Sequence, residues 1–260
     1  METPSAAAER ILSEHRDRAT FQPLPVERLG DVDYAYAVQD ELVARLLEKG
    51  QDSRAGWKIG LTTVRMQKMC GIDTPVAGAI LKARVCASGA SVDIDTYGRL
   101  GIESELAVRL ARPLPRDAEP TPDIVRECLD GVCAAFELVD DRGADYARLD
   151  ACSLVADNSW NEGLVLGRFV AAKDLGNILG REGVLASNGT VIGKGLTDDV
   201  GGDPLAVVAW LETHLRGKSR TLAAGEWVST GSIVPTHFAE RGKTYAFKIA
   251  GLSIVEVSVV

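Results

Sequence analysis

The sequence is poor in the residues that most often announce a site. It has three histidines, His15, His214 and His237, and no two of them stand at a metal-ligand spacing. There is no G-x-G-x-x-G after a strand, no P-loop and no Ser-His-Asp elbow, so the common nucleotide-binding and serine-hydrolase signatures are excluded. Five cysteines (Cys70, Cys86, Cys128, Cys133, Cys152) are scattered, odd in number and free of any C-x-x-C. That pattern supports neither a zinc site nor a disulfide framework, and reduced, mostly buried thiols in a cytoplasmic protein are expected. No apolar run reaches 18 residues, so no membrane span is predicted. The opening METPSAAAER lacks a charged-then-apolar pattern, and export is not expected. Basic residues are outnumbered, 29 − 37 giving a net charge of −8. With no basic run, the chain will not hold nucleic acid or an anionic membrane by charge.

What remains is an ordinary globular composition: 260 residues, 46% hydrophobic and 25% charged. A chain of this length makes one large domain or two modest ones and buries roughly three quarters of its unfolded surface. The first 54 residues read as a helical segment and residues 55–260 as a body packed with it as one unit. Ser5 can cap a helix over AAAERILSEHRDRA. Asp33 can cap a second, with Val38, Leu42, Val43, Leu46 and Leu47 on one face and a stop at Gly50.

Beyond Gln51 short strands and glycines take over. AGWKIGL, GIESELAVRLA, GVCAAFELVDD and GLVLG read as strands, and TTVRMQKMC as a short helix capped by Thr62 or Thr63. Asn188-Gly189 predicts a two-residue hairpin between GVLAS and TVIGKG. Asp203-Pro204 predicts a helix start before LAVVAWLETHL, and the tail reads as a hairpin around Ala250-Gly251. Strands and helices do not alternate, so the expected class is α+β: a helical N-terminal portion and a mostly antiparallel or mixed β-rich body.

Several polar residues interrupt these apolar runs. Glu103 and Glu105 share one strand face, about 6.6 Å apart, and can converge on a hard cation; a solvated face gives the same alternation. Glu137, inside VCAAFELV, sits where burial is expected and needs a cation, a proton or a basic partner, for which Arg142 is near in sequence. Lys58, between Trp57 and Ile59, can pair with a core carboxylate, hold a substrate carboxylate or act as a general acid. The polar clusters Asp157-Asn158-Ser159 with Asn161, and Ser229-Thr230-Gly231-Ser232, either form turns or line a pocket. His15 and His214 fall on amphipathic helices and are predicted to be solvated, with His237 in a surface loop.

The ordered set of motifs is more specific than any member. G-W-K-I-G-L-T-T at 56–63, G-I-D-T-P-V-A-G at 71–78, I-E-S-E-L-A-V at 102–108 and F-E-L-V-D-D-R at 136–142 come first. A-D-N-S-W-N-E-G-L-V-L-G at 156–167, P-L-A-V-V-A-W-L at 204–211 and L-A-A-G-E-W-V-S-T-G-S at 222–232 follow. From about residue 33 to the end, this resembles the 2-keto-4-pentenoate hydratase / 4-oxalocrotonate decarboxylase branch of the fumarylacetoacetate hydrolase superfamily.

The resemblance implies a Mg²⁺ or Mn²⁺ ion held by Glu103, Glu105 and Glu137. It implies catalytic roles for Lys58 and Ser159, and substrate contacts from Leu61, Asp157, Thr230 and Gly231. The implied reaction is hydration of a 2-hydroxydienoate or 2-oxo-4-enoate through a metal-stabilised enolate, in breakdown of aromatic-type compounds. Decarboxylation of a 2-oxo acid is the main alternative, followed by tautomerisation or C–C hydrolysis and then by an inactive ligand-binding subunit. A soluble cytoplasmic homo-oligomer acting on a small molecule is implied, and a partner enzyme of the same pathway is compatible with it. Two departures bear on this. Hydratases of the branch carry an aspartate after the proline where this chain has Val76, and Trp160 stands at the family's serine position behind Ser159.

Overall fold

Proline decides where the first helix starts. The computed structural model describes residues 2–260. In it α1 (Pro4–Arg16) is capped by Thr3, whose hydroxyl accepts the Ala6 amide, with Pro4 in the first turn. α2 (Val32–Gly50) is capped by Asp31, which accepts the Tyr34 amide. Both caps lie two residues upstream of the expected Ser5 and Asp33. Proline, already lacking an amide hydrogen, suits the first turn, and Asp33 there favours the helix dipole. Gly50 is still helical, and Gln51 (φ 48°) makes the left-handed cap.

The body follows in the order β1 (Arg54–Gly60), α3 (Val64–Met69), β2 (Val76–Leu81), β3 (Val85–Ala87), β4 (Ala90–Val92), β5 (Leu100–Leu110), α4 (Pro122–Cys128) and β6 (Leu129–Asp140). Then come α5 (Ala151–Ala156), β7 (Asn161–Leu166), β8 (Val170–Ala171), β9 (Glu182–Ser187), β10 (Thr190–Leu196), α6 (Pro204–Gly217), β11 (Trp227–Phe238), β12 (Thr244–Ile249) and β13 (Val255–Val259). Thr63 caps α3 and Asp203 caps α6. The β9–β10 hairpin turns at Asn188-Gly189, both with positive φ, and β12 and β13 close the tail as antiparallel partners.

The class is α+β, with two mixed sheets. The larger runs β2-β1-β11-β5-β6-β7-β3, with β8 on β6; the smaller runs β10-β9-β12-β13-β4. Three pairs are parallel: β1 with β11, β3 with β7, and β13 with β4. The main core fills the space between the sheets and α6, around Phe136, Tyr245 and Phe247. A second apolar cluster joins α1, α2 and α5 to Leu61, Val76 and Trp160. On the Glu103–Arg109 face of β5, Glu105 and Ala107 are buried and Glu103 and Arg109 half-buried, so the solvated-face reading is overturned.

Among the described residues no helix is long and apolar enough to cross a membrane. All five cysteines are unpaired; only Cys86 is exposed. All three histidines differ from expectation: His15 is not a solvated helix residue but is half-buried between Asp157 and Glu162. His214 is wedged between Tyr36 and Trp210, and burial together with Lys218 and Arg220 holds it down at about 4. His237 lies in β11 against Tyr245 rather than in a loop.

Candidate active site

The register of the central strands places like charges opposite one another. Glu103 on β5 is the direct cross-strand partner of Glu137 on β6, an arrangement that destabilises a sheet unless a cation answers it. Glu105 lies two residues further along the same face. One carboxylate oxygen from each of the three lies within 4.8 Å of the others. Glu105 and Glu137 are fully buried, and Lys58 beside them is 4% exposed.

Local features aim these groups. The β5–β11 pairing slips between Ser229 and Ser232, where Gly231 adopts a φ of 106°. The slip lets the Gly231 amide and the Ser229 hydroxyl donate to Glu105 Oε2 at 2.9 and 2.5 Å. A Cβ at Gly231 would meet the Thr62 side chain at 2.8 Å, so glycine is needed there. Asn161 Nδ2 donates to Glu137 Oε1 at 2.9 Å, and the Thr236 hydroxyl to Glu103 Oε1 at 2.6 Å. Lys58 Nζ pairs with Glu137 Oε1 at 3.3 Å; Arg142, its partner suggested by sequence proximity, is engaged elsewhere.

Charge is not balanced here. Three carboxylates face one ammonium. Burial, then the neighbouring glutamates, pushes Glu105 well above the usual carboxylate range. Burial also raises Glu137, with Lys58 opposing it. Lys58 is driven down by burial and up by Glu137, Glu103 and Glu105, and the glutamates prevail. Glu105 Oε1 and Glu137 Oε2 are buried with no hydrogen-bond partner. Orphaned oxygens beside two others already oriented are the donor set a hard divalent cation takes, so the residues fit such an ion.

A strained turn forms one wall. Asn158, Ser159 and Trp160 have φ of 48°, 51° and 60°, three consecutive non-glycine residues in the left-handed region. Each costs roughly 1–2 kcal/mol relative to a right-handed conformation. The Asn158 side chain grips Ala79 in both directions, accepting its amide at 2.7 Å and donating to its carbonyl at 2.9 Å. Trp160 packs edge-on against Phe21 and Tyr146. The turn carries the Ser159 carbonyl to within 3.3 Å of Lys58 Nζ and leaves the buried Ser159 hydroxyl without a protein partner.

A cavity of about 690 Å³ opens over these groups. Of the expected residues, Lys58, Leu61, Glu103, Ser159 and Gly231 line it. Glu105, Glu137, Thr230 and Asp157 do not. The Thr230 hydroxyl turns into the sheet to donate to the Leu106 carbonyl, and the Asp157 carboxylate is held by Arg142 and His15. Asn161 and Thr236 were missed as carboxylate partners, although Asn161 lay inside the polar D-N-S-W-N run. Tyr146, Arg65 and Lys194 complete the cavity rim, and nothing in their local sequence marks them.

No family model matches the chain. A 2-keto-4-pentenoate hydratase of Burkholderia vietnamiensis is 32% identical over 231 residues, covering 88% of this chain and 86% of that protein. The solved 4-oxalocrotonate decarboxylase of Pseudomonas putida G7, complexed with magnesium and adipate, superimposes with a TM-score of 0.88 at 25% identity. That match covers 100% of this chain and 98% of that one. A fumarylacetoacetate hydrolase family protein of Yersinia pestis shares the fold, with a TM-score of 0.59 at 20% identity over 78% of this chain and 92% of that one.

Proposed function

This chain belongs to the 2-keto-4-pentenoate hydratase / 4-oxalocrotonate decarboxylase branch of the fumarylacetoacetate hydrolase superfamily, and from that we propose that it is a divalent-cation-dependent hydro-lyase adding water to a 2-hydroxydienoate or 2-oxo-4-enoate. The observation that carries the reading is the Glu103–Glu105–Glu137 cluster with its two buried orphaned oxygens, which meets through Glu103 a cavity also lined by Lys58 and Ser159. These three glutamates would hold Mg²⁺ or Mn²⁺. When bound, the cation supplies Lewis-acid withdrawal of charge from the carboxylate and 2-oxo oxygens of the substrate.

The chain's own residues do the rest. Ser229, Gly231, Asn161 and Thr236 fix the three carboxylates in place before any ligand arrives, so little reorganisation accompanies binding. The Lys58 ammonium, oriented by Glu137 and the Ser159 carbonyl, is a donor for negative charge that develops on the substrate. Ser159 Oγ has spare hydrogen-bonding capacity for the incoming water or a substrate oxygen. Ile59, Leu61, Val139 and Trp160 give the cavity an apolar wall that keeps bulk water from these groups.

Decarboxylation is the second reading, and Val76 favours it. The side chain is fully buried in the apolar cluster under Leu61, so no carboxylate stands there to orient water. Incubating Mg²⁺-loaded protein with a panel of 2-hydroxydienoates and 2-oxo acids, with products identified by mass, separates the two. Gain of water supports the hydro-lyase; loss of CO₂ supports the carboxy-lyase; silence across the panel overturns both.

A further inference from the structure

Behind the strained turn, on the side away from the cavity, His15 of α1 reaches both ends of it. His15 Nε2 lies 2.6 Å from Asp157 Oδ1, and His15 Nδ1 lies 3.4 Å from Glu162 Oε1. Asp157 precedes the three left-handed residues and Glu162 follows them by two. Asp157 Oδ2 pairs with Arg142 Nη1 at 2.8 Å, and Glu162 Oε2 with Arg84 Nη1 at 2.7 Å. The segment after α1 adds to the grip, because the Phe21 amide donates to the Arg142 carbonyl and the Phe21 ring meets Trp160.

We propose that His15 is a positioning residue for the reaction: by bridging Asp157 and Glu162 it holds the Asn158–Trp160 turn in its left-handed form and so places Ser159 and Asn161 over Lys58 and Glu137. The inference rests on the functional reading above for what the turn does, but not for how it is held. A run of three non-glycine residues at positive φ persists only where the surroundings over-determine it. Asn158 secures the turn at its start; among the described residues His15 is the one side chain that ties its two flanks together. No residue of α1 lines the cavity, so this role is exerted wholly through Asp157 and Glu162.

Electrostatics agree with the geometry. Burial disfavours the imidazolium, as does Arg142, whose Nη1 stands 2.8 Å from His15 Nε2; Asp157 and Glu162 outweigh both and raise His15 to about 9. Glu14, 3.6 Å from Arg142 Nη2, and Arg84 complete the charged groups packed around it. The bridge is therefore cationic at neutral pH and is lost as pH rises through about 9.

The test is His15→Leu, which fills a similar volume and donates nothing, while Ala7, Ala8 and Ile11 still seat α1. Measured with Mg²⁺ and the substrate the wild type turns over best, kcat is expected to fall about 10- to 10²-fold with KM changed less than about twofold. His15→Gln, which keeps one donor, should recover part of that loss. The wild-type kcat should show a descending limb near pH 9 that His15→Leu lacks. Hydrogen exchange read on the 158–161 amides needs no substrate and should quicken by about tenfold in His15→Leu, as for a released turn. Unchanged kcat and unchanged exchange would overturn the proposal. If His15→Leu does not fold, Glu162→Gln, which removes one end of the bridge, is read the same way. A wild type that is inert on every substrate defeats the functional reading instead, and the exchange arm then judges the bridge alone.

Discussion

Two charge clusters, each with a buried centre, lie back to back across residues 157–162, and they are built to opposite rules. Behind the turn, Asp157, Glu162 and Glu14 face Arg142, Arg84 and His15, three acids against three bases with His15 protonated. In front, Glu103, Glu105 and Glu137 face Lys58 alone. The first cluster closes its charge balance from within the chain, although Arg142 Nε and Nη2, Glu14 Oε2 and Asp157 Oδ2 lack hydrogen-bond partners. The second is short of positive charge by two, and its hydrogen-bond donors are gathered on some oxygens so that others are left bare. A fold this size can afford buried ions only when they are answered. The unanswered set is therefore the one that waits for something from outside.

Replacing a carboxylate by its amide should have opposite consequences in the two places. The largest stability effect is expected from Asp157→Asn, which takes from the buried Arg142 its nearer carboxylate: about 3–5 kcal/mol of destabilisation, seen as a fall in the denaturation midpoint. Glu105→Gln, by contrast, relieves repulsion, and the cation-free variant should melt no lower than the cation-free wild type. Equal destabilisation by both would erase the distinction between the clusters.

Next in size is Lys58→Met. Removing the ammonium from the front cluster should cost about 10²–10³ in turnover, roughly 3–4 kcal/mol of barrier, with the fold retained. Normal turnover per folded molecule, together with a much lower melting temperature, would reassign Lys58 to a structural role. Glu105→Gln should also weaken Mg²⁺ or Mn²⁺ binding by at least about 10²-fold, read by calorimetry, since even outer partners of a metal ligand cost 10–100-fold. Affinity equal to wild type would remove Glu105 from the site.

The smallest effect is a slope. With no cation present, the raised Glu105 and Glu137 bind protons in the folded state that they release when unfolded, so stability should decline as pH rises from about 4.5, their unperturbed value. Saturating Mg²⁺ should flatten that decline. The back cluster has its own window: the His15 contribution is complete below 6.5, its unfolded value, and lost as pH rises through about 9. Mg²⁺ should leave that second window untouched. Denaturation midpoints at a series of pH values, with and without Mg²⁺, read both.

The front cluster was legible in the sequence and the back one was not, for a physical reason. Glu103 and Glu105 share a strand face by simple alternation, and Glu137 stands out because a carboxylate in an apolar run needs an explanation. The order of motifs then joins them. His15, however, meets Asp157 across 142 positions of chain, and each residue taken alone suits a helix surface or a turn. The caps at Thr3 and Asp31 were misplaced by two residues because neighbouring serine and aspartate are equally competent cappers. The left-handed run at Asn158–Trp160 escaped notice because serine and tryptophan carry no preference for it. Burial on both faces of β5 depends on a second sheet, which local alternation does not reveal.

The parallel pairing of β1 with β11 sets Lys58 beside Ser229, and β11 is then flanked on its other edge by β5. During synthesis, β1 and β5 therefore emerge with no partner on the edges they will later turn toward β11. Those edges stay open until residues 227–238 arrive, and contacts of such sequence separation form slowly. A nascent chain stalled after α6 would present two unpaired strand edges beside three buried-type carboxylates, a combination suited to mispairing with another chain. One strand thus completes both the largest sheet and the donor set around Glu105, so that the chain cannot acquire its chemistry before it has closed its most exposed folding intermediate.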